Sequence, residues 1–100
     1  MLKQFNLGWI MGSEKMLHEA DRDWVFRKAV DKALDRFRSC DWGDVTEQDR
    51  VLNNASVEAE KHGSPAGPLI GFYPDVCGRN ICIRTEADRR STTIMFASEQ

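Results

Sequence analysis

The chain of 100 residues has no uninterrupted apolar run approaching the ~20 residues that cross a bilayer. Nor has it a cationic excess: 14 Lys and Arg stand against 16 Asp and Glu, a net charge of -2. That balance offers DNA, RNA or an anionic membrane no general attraction. Histidine is limited to His18 and His62, both beside expected helix ends, where solvated or dipole-capping roles suffice. Neither adjoins a Cys or Ser in a nucleophile motif. The three cysteines, Cys40, Cys77 and Cys82, are odd in number, so they cannot form a complete disulfide framework. Cys77 and Cys82 lack the two-residue separation of a redox dithiol or zinc knuckle, and no second pair supplies four ligands. They are expected to be small buried hydrophobes in a reducing cytoplasm. There is no internal repeat, low-complexity tract or glycine-rich nucleotide loop. Residues 1–13 carry one Lys and are broken by Gly8 and Gly12, a poor match to a signal peptide.

What is present is ordinary globular composition, 41% apolar and 30% charged, enough for one modest core in a single domain spanning residues 1–100. Loose alternation from Phe5 to Met11 predicts a short strand, and Ser13 caps a helical turn through Glu14, Met16 and Leu17. From Asp21 the spacing predicts the longest helix. Phe26, Val30, Ala33, Leu34 and Phe37 recur at steps of three and four, and the helix ends near Ser39. A second helix is expected from Thr46, which with Asp49 resembles a capping box, to a stop at Gly63. Its apolar face is thin: Val51, Leu52, Ala55 and Ala59, with Asn53 and Asn54 in the middle. Beyond the loop Ser64-Pro65-Ala66-Gly67-Pro68 the period becomes two. Strands are expected over 69–73, 80–85 and 92–96, joined by short connections. The fold class is therefore α+β: one long amphipathic helix and one or two short ones on a small antiparallel meander of three to four strands.

Four stretches stand out together: Asp41-Trp42-Gly43-Asp44 followed by Glu47 and Asp49; Asn53; Ile81-Cys82-Ile83; and Thr85-Glu86-Ala87-Asp88-Arg89 with Ser91-Thr92-Thr93-Ile94. Over residues 33–97 the chain resembles a family of small, functionally uncharacterised bacterial proteins carried on plasmids, phages and integrated elements. These show a DWGD segment, a short acidic helix, and a hairpin running into TEADR and STTI. The resemblance implies no catalytic residues. Some members are labelled as methylation subunits of restriction-modification systems, but a methyltransferase needs a sizeable parallel sheet with a glycine-rich loop after its first strand, and this chain has neither the length nor the loop. The Pro65–Pro68 loop and the ending Ala97-Ser98-Glu99-Gln100 depart from the family pattern, as does the region before Ala33.

The residues themselves point to binding rather than catalysis. Asp41, Asp44, Glu86 and Asp88 would form a Mg²⁺ site only if the Trp42 loop lay beside the last hairpin turn; turn and cap bonding accounts for such acids more simply. Neither a metal nor a cofactor is expected. Arg84, Arg89 and Arg90, with Arg79 on the preceding connection, have chemistry suited to phosphate, but Glu86 and Asp88 sit among them and favour local salt bridges. Trp42 is either an anchor of its loop or an interface residue, and Trp9 and Trp24 raise the same question. The expected function is that of a non-enzymatic mobile-element protein that binds a protein partner, a second copy being one candidate. An inhibitor of a CRISPR or restriction component would suit the acids Asp21, Asp23, Asp41, Asp44, Glu47 and Asp49. Trp42, Asp41, Asp44, Glu47, Asp49, Arg89 and Arg90 are the candidate contact residues. The alternative is a nucleic-acid-binding accessory protein using Arg84 to Arg90.

Overall fold

The computed structural model describes residues 5–100. Its helices begin where short polar side chains satisfy the first free N–H groups. The Ser13 hydroxyl accepts from the Met16 N–H (3.1 Å) and opens α1, Glu14–Arg22. The Asp23 carboxylate accepts from the Phe26 N–H (3.1 Å) and opens α2, Trp24–Arg38. Asp23 is itself extended (φ -133°, ψ 100°), so the chain breaks there. The helix expected from Asp21 thus starts at Trp24, and Asp21 belongs to the end of α1. The Thr46 hydroxyl accepts from the Asp49 N–H (3.1 Å) and opens α3, Glu47–Lys61. At 15 residues α3 equals α2 in length, which corrects the expectation of a single long helix.

Strands β2 (Leu69–Val76), β3 (Arg79–Thr85) and β4 (Ser91–Phe96) form the antiparallel meander. The connection expected over 74–80 shrinks to two residues. Cys77 (φ 52°) and Gly78 (φ 79°) take the paired left-handed conformations that suit the strands' twist, and Asp75 (φ 57°) lies within an irregularity between Tyr73 and Val76. A fourth strand, β1 (Trp9–Gly12), pairs with β4, giving the order β1-β4-β3-β2. This pairing is parallel, with Trp9 aligned to Ser91 and Gly12 to Ile94, so the sheet is mixed rather than wholly antiparallel. No hairpin turn dictates the direction of a strand whose partner lies about 80 residues away in sequence; three helices intervene and free it to run either way.

One face of the sheet is the core. Leu69, Gly71 and Tyr73, then Ile81, Ile83 and Thr85, then Thr92, Ile94 and Phe96 align across the three antiparallel strands, all buried. Against them pack Met16 of α1, Val57 of α3 and the expected α2 residues Phe26, Val30, Ala33, Leu34 and Phe37. Gly71 has no side chain because α2 lies close: a Cβ there would sit 2.8 Å from the Phe37 ring. The two buried threonines are satisfied through one another. Thr85 and Thr92 share a hydroxyl–hydroxyl bond (2.7 Å), and Thr92 donates to the Leu7 carbonyl (2.7 Å), fastening the leader to the sheet.

The apolar face expected of α3 is not the one it buries. Val51 and Leu52 are more than half exposed, whereas Asn53 and Val57 are buried. The reason is hydrogen bonding at the sheet edge, which hydrophobic spacing does not report.

Candidate interaction surface

A sheet has two edges, and each presents unpaired N–H and C=O groups to any passing strand. Here the two are treated differently. Along β2 the outward-facing residues are Ile70 and Phe72. The Asn53 side chain accepts from the Ile70 N–H (3.2 Å) and donates to the Ile70 carbonyl (2.7 Å). Phe72 N–H donates to the Trp42 carbonyl (2.9 Å), and Asp44 N–H donates to the Phe72 carbonyl (2.7 Å). Pro68 and Pro74 continue the same two-residue spacing and have no N–H at all. The β2 edge is closed.

The Asp41–Asp44 segment is built for that closure. Gly43 bridges to Phe72 with φ +75°, and any Cβ there would collide with the Phe72 carbonyl oxygen. Trp42 is only 3% exposed. Its ring packs against Phe37 and Phe5 (centroids 5.3 and 5.9 Å), and its Nε1–H donates to Asn54 (2.9 Å). The indole is therefore an internal anchor and presents no surface to a partner. Asp41 accepts from Arg36 Nε (2.8 Å) and from the Gly43 N–H (3.2 Å). The Arg36 guanidinium holds this carboxyl below its ordinary range. Arg36 lies over the Tyr73 ring (5.1 Å), and the Tyr73 hydroxyl donates to the Asp41 carbonyl (2.7 Å). Burial raises the Tyr73 phenol well above its usual value. Of the five candidates in this region, Asp44 and Glu47 are exposed, Asp49 is half-buried, and Glu47 is paired with Arg50.

The arginines divide similarly. Arg89 (φ 60°) is turned inward with its side chain only 9% exposed. Its Nε donates to Glu60 (2.6 Å), and its Nη1 to the carbonyls of Gly67 (2.8 Å) and Glu86 (3.1 Å). It clamps the β3–β4 turn to α3 and to the 64–68 loop, so it does not project toward a partner. Arg84 bonds Glu86 (3.3 Å), while Arg90 is 86% exposed with only a long contact to Asp88 (3.8 Å). Arg79 stacks on Phe26 (4.6 Å) and pairs with Glu19 (3.2 Å).

Asp41, Asp44, Glu86 and Asp88 are not gathered into one group. Among the described residues, no three His, Cys, Asp or Glu side chains are placed to hold a metal ion. The cysteines are free thiols. Cys82 is buried and Cys40 half-buried, and burial raises both thiol pKa values, but Cys77 lies exposed in the β2–β3 turn, contrary to the expectation of a third buried thiol. Cys77 is one of the two turn residues between β2 and β3, outside the strands whose inward faces form the core.

The other edge is bare. Trp9 N–H donates to the Arg90 carbonyl and Ser13 N–H to the Ile94 carbonyl (2.9 Å each), so by alternation the N–H and C=O of Ile10 and Gly12 point away from β4. Among the described residues nothing pairs with them. The side chains there are Trp9 (80% exposed), Ile10 (47%) and Met11 (48%), with Leu17 (59%) alongside from α1. Trp9 and Met11 lie on the face opposite the helices, in line with Thr93, Met95, Cys82, Phe72 and Ile70 of the neighbouring strands. Hydropathy placed Ile10, Met11 and Leu17 in elements without marking them as surface. The available signal was the absence of charge and proline from Gly8 to Gly12.

Comparison of the chain with protein-family models, curated proteins and solved structures gave no match. Among the described residues no helix is long and apolar enough to cross a membrane.

Proposed function

We propose that this is a small non-enzymatic protein that acts by binding another protein, and that β1 is its contact strand. The observation that carries this reading is the contrast between the two sheet edges. One is closed by Asn53, Trp42, Asp44 and two prolines; the other carries three exposed apolar side chains and open backbone groups. Edges left this way invite strand addition, in which main-chain bonds supply affinity and alternate side chains supply specificity.

The finer reading is a cytoplasmic mobile-element protein that inhibits a host defence component, restriction or CRISPR, by covering a basic nucleic-acid-binding surface. Its support is the family resemblance and the acids Asp44, Glu47 and Asp49 at the start of α3. With a net charge of -2, shape and strand pairing must contribute more than charge mimicry. A nucleic-acid-binding role is the second reading, supported by the exposure of Arg90 and weakened by the inward engagement of Arg89.

The test is affinity capture from host lysate, with and without nuclease, using the wild-type chain and Trp9→Ser. A protein retained by the wild type after nuclease treatment and lost with Trp9→Ser is the expected result. Loss of every partner on nuclease treatment overturns the reading in favour of nucleic acid.

A further inference from the structure

We infer that the bare edge of β1 pairs with β1 of a second copy, antiparallel about a two-fold axis at Met11, joining two four-stranded sheets into one. This rests on the reading of β1 as the contact strand and names its occupant.

The strand is complementary to itself. In this register Ile10 stands opposite Gly12 of the second copy and Gly12 opposite its Ile10. The outward N–H and C=O groups of both residues then meet their counterparts, closing four hydrogen bonds with none left over. The side chains fit as well. Gly12 lies beneath Leu17: a Cβ there would sit 2.9 Å from a Leu17 methyl. An Ile10 arriving opposite this side-chain-free position packs over Leu17 rather than clashing. On the other face Met11 meets its own copy, and Trp9 reaches it diagonally, an aromatic–sulfur arrangement. Nothing from Gly8 to Gly12 is charged, so no like-charge pair opposes the two-fold.

The area is adequate for a weak dimer. Scaled by their exposures of 80, 47, 48 and 59%, Trp9, Ile10, Met11 and Leu17 offer roughly 450 Å² per chain, taking about 200 Å² for each large apolar side chain. Two copies with their flanking backbone have at most about 1,000 Å² to bury, the floor for a specific interface. An interface of this size belongs with the weak, transient ones, so the dimer population depends on concentration.

The test is sedimentation equilibrium of the wild type, Met11→Glu, Met11→Lys and an equal mixture of the two variants, with circular dichroism confirming their fold. The wild type is expected to pass from one-chain to two-chain mass as concentration rises. Each variant alone stays monomeric because like charges meet at the two-fold, and the mixture recovers the two-chain mass. Ile10→Pro removes an outward N–H without touching the β1–β4 ladder, and is likewise expected to be monomeric. A wild type that stays monomeric at millimolar concentration, or a dimer that persists in both single variants, overturns the proposal. A monomeric wild type that still captures a protein through Trp9 overturns self-pairing alone and leaves the binding function standing.

Discussion

The carboxamide of Asn53 on α3 grips both backbone groups of Ile70 on β2, accepting from its N–H at 3.2 Å and donating to its carbonyl at 2.7 Å. A side chain here does the work of a neighbouring strand. It explains why a polar residue is 98% buried in the middle of a helix that leaves Val51 and Leu52 in solvent.

Asn53→Ala is expected to destabilise the fold by about 2 kcal/mol, since it leaves a donor and an acceptor without partners at the covered edge. Asn53→Asp keeps the acceptor but sets a carboxylate against the Ile70 carbonyl, and is expected to be at least as damaging. Urea unfolding measures both. A loss below 0.5 kcal/mol for the alanine variant, on the order of a surface substitution, would show that this edge needs no closure.

Trp42→Ala is expected to cost about 3–5 kcal/mol, the range for emptying an aromatic site in a core. Trp42→Phe retains a ring against Phe5 and Phe37 but loses the bond to Asn54, and is expected to cost less than the alanine variant. Thermal unfolding distinguishes them. A stable Trp42→Ala would return the indole to the list of contact residues.

Arg89→Ala removes one partner of a mostly buried ion pair and is expected to cost about 3 kcal/mol. Arg90→Ala, 86% exposed, is expected to change stability by less than about 0.5 kcal/mol. Neither should reveal a salt-dependent affinity for duplex DNA. Steep salt dependence that Arg90→Ala abolishes would favour the nucleic-acid reading.

Two carboxyls are held below their ordinary values. Asp41 is lowered chiefly by its bond from Arg36, and Glu99 by the Phe96 N–H, with the Ser13 hydroxyl assisting. A depressed folded-state pKa means that the unfolded chain binds protons first as pH falls. Both contributions are therefore complete above the reference values of 3.8 for Asp41 and 4.5 for Glu99, and are lost as pH drops through the lower folded values. Stability is expected to fall from about pH 4.5 downward, and Asp41→Asn with Glu99→Gln should flatten that limb. Because Asp41 is half exposed, its share stays below about 1 kcal/mol. Urea midpoints measured between pH 7 and 3 check the slope.

Much of the architecture was legible because it is local. Ser13 and Thr46 are hydroxyl caps beside the helices they open, and Phe26 to Phe37 carry the helical period in the residues themselves; the start of α2 was expected at Asp21, whereas Asp23 caps it. The candidate site was legible only in part. Trp42, Asp41 and Arg89 stood out as unusual, but unusual residues in turns serve anchoring and recognition alike, and only their surroundings separate the two roles. Trp9 stood as an open question between anchor and interface, and Ile10 and Met11 as ordinary strand residues, because an apolar side chain on a strand looks the same whether its strand is central or at the edge.

The sequence by itself determined the α+β class, the order of the elements and the face that α2 buries, while β1, expected from Phe5, begins at Trp9 and α1, expected through Leu17, runs to Arg22. Class, order and buried face follow from capping, turn chemistry and hydrophobic period, which act over three or four residues. Tertiary structure alone decided that β1 runs parallel to β4, that Asn53 and the Trp42 loop seal the β2 edge, and that the opposite edge stays open. These pairings join groups between about 17 and 82 residues apart in sequence, and no local pattern records which distant backbone a strand or side chain will meet.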